Sequence, residues 1–201
     1  VKAIIQHAGQ TCSAGSRILV QKSIYDEFMT QVASQFGKVR VGTPDMDLDC
    51  GPVMNGKQQR LVQGFRTEAI ESGIQLLAEG SFADGLDQNG FWVQPALFGN
   101  VPRDHRLACD EVFGPVLTAI PFDDEADAIK LANATEYGLV GSVWTKDGDR
   151  QQRVAKRMNC GQIFINNYGA GGGVELPFGG MKKSGHGREK GFVALEHFTT
   201  T

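Results

Sequence analysis

The sequence predicts an α/β fold, a three-layer and mostly parallel open sheet with helices on both faces. Three observations carry that prediction. Short apolar runs suited to strands alternate with amphipathic stretches suited to helices over most of the chain. Parallel neighbours need crossover connections of a dozen residues or more, and helices of this length supply them. The composition is that of a globular chain with a full core: 201 residues, 41% hydrophobic and 21% charged. A chain this long buries roughly 70% of the surface it exposes when unfolded, and its length allows one domain, the reading taken for residues 1–201, or at most two small ones.

Each element has a local signal. Val1, Ile4, Ile5 and Ala8 give the start a short helical face, and the run RILV at 17–20 reads as a strand. Ser23 then opens a helix, because Ser-Ile-Tyr-Asp matches a capping box and Ile24, Phe28, Val32 and Phe36 recur every four residues. Gly42-Thr43-Pro44 breaks the pattern, and a loop runs through Pro52. A second helix covers 58–71 with Leu61, Val62, Phe65 and Ala69 on one face; Gly73 stops it, and 74–78 is a strand. The turn-rich stretch 80–90 precedes FWVQPALF at 91–98, which Pro95 marks as an edge or bent strand. Residues 116–122 form a strand, Asp123-Asp124 caps a helix to about Asn133, and 140–145, 149–158 and 162–166 follow as strand, helix and strand. Such sheets place their chemistry in loops beyond the carboxyl ends of the strands.

Charge and composition exclude several functions. Twenty basic and 23 acidic residues leave a net charge of −3, with no basic block for a nucleic acid. No apolar run approaches the ~18 residues of a membrane span, and VKAIIQHAGQ has no signal-peptide layout. Cys12, Cys50, Cys109 and Cys160 lie far apart, form no CxxC pair and belong to no His/Cys cluster at zinc-ligand intervals. That usage fits the cytoplasm. Glycine is abundant, 26 residues in all, and ten of the 31 residues from Gly161 to Gly191 are glycine. This stretch has no clean GxGxxG (Gly169-Ala170-Gly171 lacks the third glycine) and no GxxxxGK[ST], so it reads as closely packed loop.

Cys12 is the most informative position. It sits in Gly9-Gln10-Thr11-Cys12-Ser13-Ala14-Gly15 among small residues that leave a thiol accessible and backbone N–H groups free to face a ligand. A thiolate attacks carbonyl carbon well, and neighbouring N–H groups suit the resulting oxyanion. A lone cysteine is also commonly a small buried hydrophobe, and composition leaves both roles open.

GQTCSAGSR resembles the nucleophile motif of the aldehyde dehydrogenase superfamily. Glu111-Val112-Phe113-Gly114-Pro115-Val116 is similar to its second signature, and Asn133 to Leu139 to its N-x-(S/T)-x-Y-G-L segment. Residues 166–189, with Pro177-Phe178-Gly179-Gly180, Lys183-Ser184-Gly185 and Gly187-Arg188-Glu189, resemble its C-terminal signature. Four motifs in order over nearly the whole chain make the resemblance specific.

The resemblance implies the catalytic-domain fold of that family and an oxidation in three steps. Cys12 adds to an aldehyde, hydride passes to NAD or NADP, and water cleaves the thioester. Glu111 would hold the ribose hydroxyls beside the nicotinamide, a diol suiting two acceptor oxygens. Phe113 would pack on the nicotinamide, and Gln58 matches a position that reaches the adenine-side ribose. Phe178 would line the aldehyde entry, and Asn166 would support the cysteine loop. Without the resemblance, each of these reads as scaffold or solvated surface. Cys50, Cys109 and Cys160 are expected to be inert, Lys182-Lys183 to be a solvated turn, and no metal is expected. His7 invites a Cys–His dyad, which the asparagine of many relatives at that position argues against.

Relatives begin with a nucleotide-binding domain that carries the phosphate-binding turn, an oxyanion-hole asparagine and the glutamate that activates water. The chain is therefore expected to be the cysteine-bearing catalytic part of such an enzyme, inactive alone as a dehydrogenase. Its expected partners are a small aldehyde, that N-terminal domain and, in the full-length parent, further copies of itself. Two alternatives from other classes stand: a cofactor-independent thiol esterase or acyltransferase using Cys12, and a non-catalytic assembly domain with a vestigial site.

Overall fold

The computed structural model describes residues 1–169 and 173–200; Ala170 and Gly171 of the Gly169-Ala170-Gly171 run lie outside them. The chain divides into two compact units, Val1–Asp123 and Asp124–Thr201.

The first unit is built on a four-stranded sheet. In chain order its strands are β1 (Arg17–Gln21), β3 (Gln75–Glu79), β5 (Ala96–Gly99) and β6 (Val116–Phe122), and in space they run β1-β6-β5-β3. β1 and β5 both pair with β6 in parallel, whereas β3 joins β5 antiparallel through a bulge between Leu76 and Ala78. All of β5 and the first five residues of β6 are buried, so the centre of the sheet is covered on both faces. Two further strands, β2 (Arg40–Val41) and β4 (Ser81–Phe82), form a small parallel pair. The helices of this unit are α1 (Lys2–Ile5), α2 (Tyr25–Phe36), α3 (Gly56–Glu71) and α4 (Arg106–Cys109). The fold is α/β with mostly parallel open sheets, as the alternation predicts.

Four local expectations change. The strand after Pro95 is central rather than an edge, because Pro95 stops one residue short of β5 and the ladder begins with Ala96 N–H donating to Pro115 O at 3.0 Å. No capping box forms at Ser23: residues Lys22–Ile24 make a 3-10 turn, and α2 starts at Tyr25 without a side-chain cap. Its inner face is Tyr25, Met29 and Phe36, while Ile24 and Phe28 stay exposed. Tyr25 takes the inner position because its hydroxyl accepts the Asn100 N–H at 2.7 Å, so ring and polar tip are both satisfied. On α3, Leu61 is exposed and Arg66 is buried in the inner face, donating to Gln94 O at 3.0 Å and pairing with Glu79.

The second unit contains α5 (Glu125–Ala132), α6 (Gly148–Ala155) and the parallel pair β7 (Val140–Val143) and β8 (Gln162–Ile165). Asp124 caps α5 by accepting the Asp127 N–H, as predicted, and Asp147 caps α6 in the same way through Arg150 N–H. Glu125 bridges Arg150 and Arg153, which hold its carboxyl down at about 2, the hydrogen bond from Arg153 being the largest cause.

Candidate active site

The cysteine loop starts from an unusual turn. After α1, His7, Ala8 and Gly9 all adopt left-handed backbone, with φ of 50°, 54° and 72°. Such a conformation costs roughly 1–2 kcal/mol per residue carrying a Cβ, and His, like Asn and Asp, tolerates it better than most. The turn brings the Gly9 backbone against the peptide of Gly114 and Pro115, so closely that a Cβ on Gly9 would lie 2.1 Å from Gly114 O. Gln10 then donates to His7 O at 3.1 Å and accepts the Met54 N–H at 2.8 Å.

Thr11 to Ala14 form a β-turn, closed by Ala14 N–H on Thr11 O at 3.0 Å, with Cys12 at its first central position. Ser13 beneath it is buried, and Gly15 N–H returns the chain to Ala3 O at 2.9 Å. The Cys12 thiol is exposed. The backbone N–H groups of Thr11, Cys12 and Ser13 make no hydrogen bond among the described residues. That arrangement presents a thiol and donors for an anion on one turn.

The Glu111 loop lies on α3. The Arg106 guanidinium stacks 4.0 Å over the Phe65 ring and pairs with Glu68 and Asp110, both at 3.0 Å. Glu111 follows, exposed, and its carboxylate has no partner among the described residues. Phe113 is half-buried with φ of 53°, and its carbonyl accepts from the Gln58 side-chain amide at 2.8 Å, which also reaches Val112 O at 3.2 Å. Gln58 sits in the first turn of α3, where Asn55 caps the helix by accepting the Gln58 N–H at 2.9 Å. Cys12, Gln58, Glu111 and Phe113 therefore share one framework: two loops that pack at Gly9 and Gly114, both tied to residues 54–58.

Phe178 and Asn166 belong to the second unit. Phe178 pairs with Glu189 by two backbone hydrogen bonds of 2.7 Å, and Lys190 Nζ lies 5.6 Å from its ring centroid. Asn166, at φ 49°, uses its whole amide on Thr145, accepting from the N–H and donating to the carbonyl at 2.9 Å each. Lys182 is more than a solvated turn, because its Nζ donates to Asn133 O and Thr135 O at 3.0 Å. Gly138 N–H meanwhile donates to Ser184 Oγ, so the 133–139 and 177–189 motifs are bolted together.

The other thiols differ from Cys12. Cys50 is buried and its thiol is pushed up to about 11, by desolvation first and then by the Asp49 charge. Cys109 is half-buried and donates to Arg103 O at 3.5 Å. His7 is exposed on its left-handed turn. No group of three His, Cys, Asp or Glu among the described residues is arranged to hold a metal. The residues that sequence reasoning missed are Gly9, Gln10, Asn55 and Gly114, which assemble the two loops. Gly9, Gln10 and Gly114 lie inside the quoted motifs without a role read for them, and Asn55 has a local signal as an N-cap residue just before a helical run.

Comparison with known proteins follows the same lines. The model of the family described as "Aldehyde dehydrogenase family" matches residues 1–201. The chain belongs to the aldehyde dehydrogenase family. It is 38% identical over 201 residues to a betaine aldehyde dehydrogenase of Bacillus subtilis, covering 99% of this chain and 41% of the relative. Among solved structures, a Burkholderia cenocepacia protein assigned to the aldehyde dehydrogenases is 55% identical with a TM-score of 0.97, covering 100% of this chain and 42% of that one. A Mycobacterium tuberculosis aldehyde dehydrogenase solved with NAD+ is 40% identical with a TM-score of 0.92, covering 99% and 41%. The chain thus spans about two-fifths of the length of the aldehyde dehydrogenases it matches. No helix of the described residues is long and apolar enough to cross a membrane.

Proposed function

We propose that this chain carries the nucleophile and the nicotinamide-side residues of an NAD(P)-dependent aldehyde dehydrogenase that converts an aldehyde to a carboxylic acid. The observation that carries the reading is the pairing of two loops, one presenting an exposed thiol beside unpaired N–H groups and the other an unpaired carboxylate. Cys12 as thiolate adds to the carbonyl carbon, and the turn's N–H groups receive the negative charge that develops on oxygen. Glu111 and Phe113 would hold the nicotinamide side of a bound dinucleotide, which would supply the hydride acceptor for that carbon. Water cleaves the thioester left on Cys12, yielding the acid and restoring the thiol.

The residues present fit such a cofactor. Glu111 is free to accept from both hydroxyls of a ribose, and Phe113 offers a half-buried ring beside it. Relatives support the choice, since the M. tuberculosis and Staphylococcus aureus enzymes were solved with NAD+. One named cysteine is free in the S. aureus enzyme solved with NAD+ and modified by BME in a point mutant of it, as expected of a reactive thiol. We assign Phe178 to the aldehyde-entry wall and Asn166 to support of the site. The remaining catalytic groups and the phosphate-binding turn belong, in this reading, to an N-terminal nucleotide-binding domain, and the whole enzyme works as a homo-oligomer in the cytoplasm.

Two substitutions in the complete protein test the division of roles. Cys12→Ser is expected to abolish both aldehyde oxidation and acylation by an activated ester. Glu111→Gln is expected to leave acylation intact while slowing hydride transfer. Equal damage to both reactions by both variants refutes the assignment. Acylation of Cys12 by the activated ester with no aldehyde-dependent reduction of NAD(P)+ in the unsubstituted protein points instead to a thiol acyltransferase without a redox cofactor.

A further inference from the structure

We propose that Gln10 and Gln58 are positioning residues: two amide latches that fasten the Cys12 loop and the Glu111–Phe113 loop to one strut, the Met54–Gln58 entry into α3. The two glutamines do the same job. Gln58 donates to the carbonyl of Phe113 at 2.8 Å, and Gln10 donates to the carbonyl of His7 at 3.1 Å. Both carbonyls belong to non-glycine residues in the left-handed region, with φ of 53° and 50°. Such residues persist only where the surroundings over-determine them; Gln58 supplies that constraint from the strut, whereas Gln10 acts within its own loop, its side chain joining its backbone N–H (3.0 Å) on the His7 carbonyl while its Oε1 reaches the strut at Met54. Each glutamine is also fixed at the strut: Gln10 accepts the Met54 N–H, and Gln58 lies inside α3 with its own N–H on Asn55. The thiol and the carboxylate are therefore referenced to the same five residues.

This gives Gln58 the job of holding the loop. Its amide donates to both Val112 O and Phe113 O, and its Oε1 has no partner among the described residues. The inference rests on the reading of Glu111 and Phe113 as cofactor-side residues. Replacement by glutamate tests that job, because it keeps an acceptor and turns the donor into lone pairs facing the carbonyls.

The test uses Gln58→Glu and Gln10→Glu in the complete protein, with NAD+, an aldehyde and, separately, an activated ester. Gln58→Glu is expected to raise the KM for NAD+ about tenfold or more, as expected when donation to two carbonyls becomes repulsion, with acylation of Cys12 within about twofold of the parent. Gln10→Glu is expected to show the opposite split, slowing acylation about tenfold at an unchanged KM for NAD+. Amide hydrogen exchange is expected to rise over residues 111–116 in the first variant and 7–13 in the second. A parental KM in Gln58→Glu, or identical losses in both steps for both variants, overturns the proposal. If the unsubstituted protein reduces no NAD+ with any aldehyde, the dehydrogenase reading fails; the exchange data still decide the latches, and exchange unchanged in the loops refutes them.

Discussion

Replacing Gly9 by alanine puts a methyl group where the opposite loop has backbone. The new Cβ would meet Gly114 O at 2.1 Å, Gly114 C at 2.3 Å and Pro115 N at 2.8 Å, and none of these atoms is the end of a flexible side chain. Relief to an ordinary 3.4 Å contact needs the two loops to part by about 1.3 Å. The added Cβ also pays the left-handed penalty of about 1–2 kcal/mol at φ 72°, and overpacking adds roughly 1–3 kcal/mol. A loss of about 3 kcal/mol lowers Tm by roughly 6–12 °C in a chain of this size. Displacing the thiol from the Glu111 loop by about 1 Å is expected to slow aldehyde oxidation by ~10²-fold. Thermal unfolding of this chain by circular dichroism and steady-state NAD+ reduction by the complete protein measure the two effects. Gly64→Ala is the matched control, since Gly64 lies in α3 with nothing within 4 Å of its Cβ position, and it should stabilise by about 0.5–1 kcal/mol. A Gly9→Ala protein that melts with the parent and oxidises aldehyde normally refutes the reasoning.

Three further predictions concern the Arg66–Glu79 pair, Cys50 and the reactivity of Cys12. Arg66→Met is expected to cost about 2–3 kcal/mol in denaturant unfolding, below the full buried-pair value because the Glu79 side chain is 32% exposed. Combining it with Glu79→Leu should recover part of that loss, because the unpaired carboxylate is then gone. Cys50 sets an alkaline limit: with its thiol raised from 9.0 to about 11 by burial, its contribution to stability is full below pH 9 and is lost as pH rises to about 11. Unfolding followed from pH 8 to 11 should fall less steeply in Cys50→Ala. Limiting alkylation near pH 7 with peptide mapping should label Cys12 well ahead of Cys50.

The legible part of the fold is the part written in local chemistry. Asp124 caps its helix because a short carboxylate before a helical run has orphan N–H groups within reach. β6 lies at its expected ends because a seven-residue run, apolar but for Thr118 and bounded by Pro115 and acidic residues, has little else to become. Where the prediction slipped, a distant partner had altered a local preference. Tyr25 displaced Ile24 from the inner face of α2 because of Asn100, seventy-five residues away. Arg66 entered the core because Glu79 and Gln94 received its charge. Pro95 did not make an edge, because the ladder starts one residue later.

For the site, the sequence by itself determined which chemistry-bearing side chains exist and, through four motifs in order, which family they belong to. Cys12 among small residues and Glu111 before Phe113-Gly114-Pro115 were visible without coordinates. Tertiary structure alone decided that Gly9 rests on Gly114, that Gln10 and Gln58 grip carbonyls of left-handed residues, and that Glu111 is left unpaired. Composition and periodicity report each residue's preference for water or core within one element. A hydrogen bond between residues 55 positions apart depends on how distant elements pack, and no local pattern encodes that.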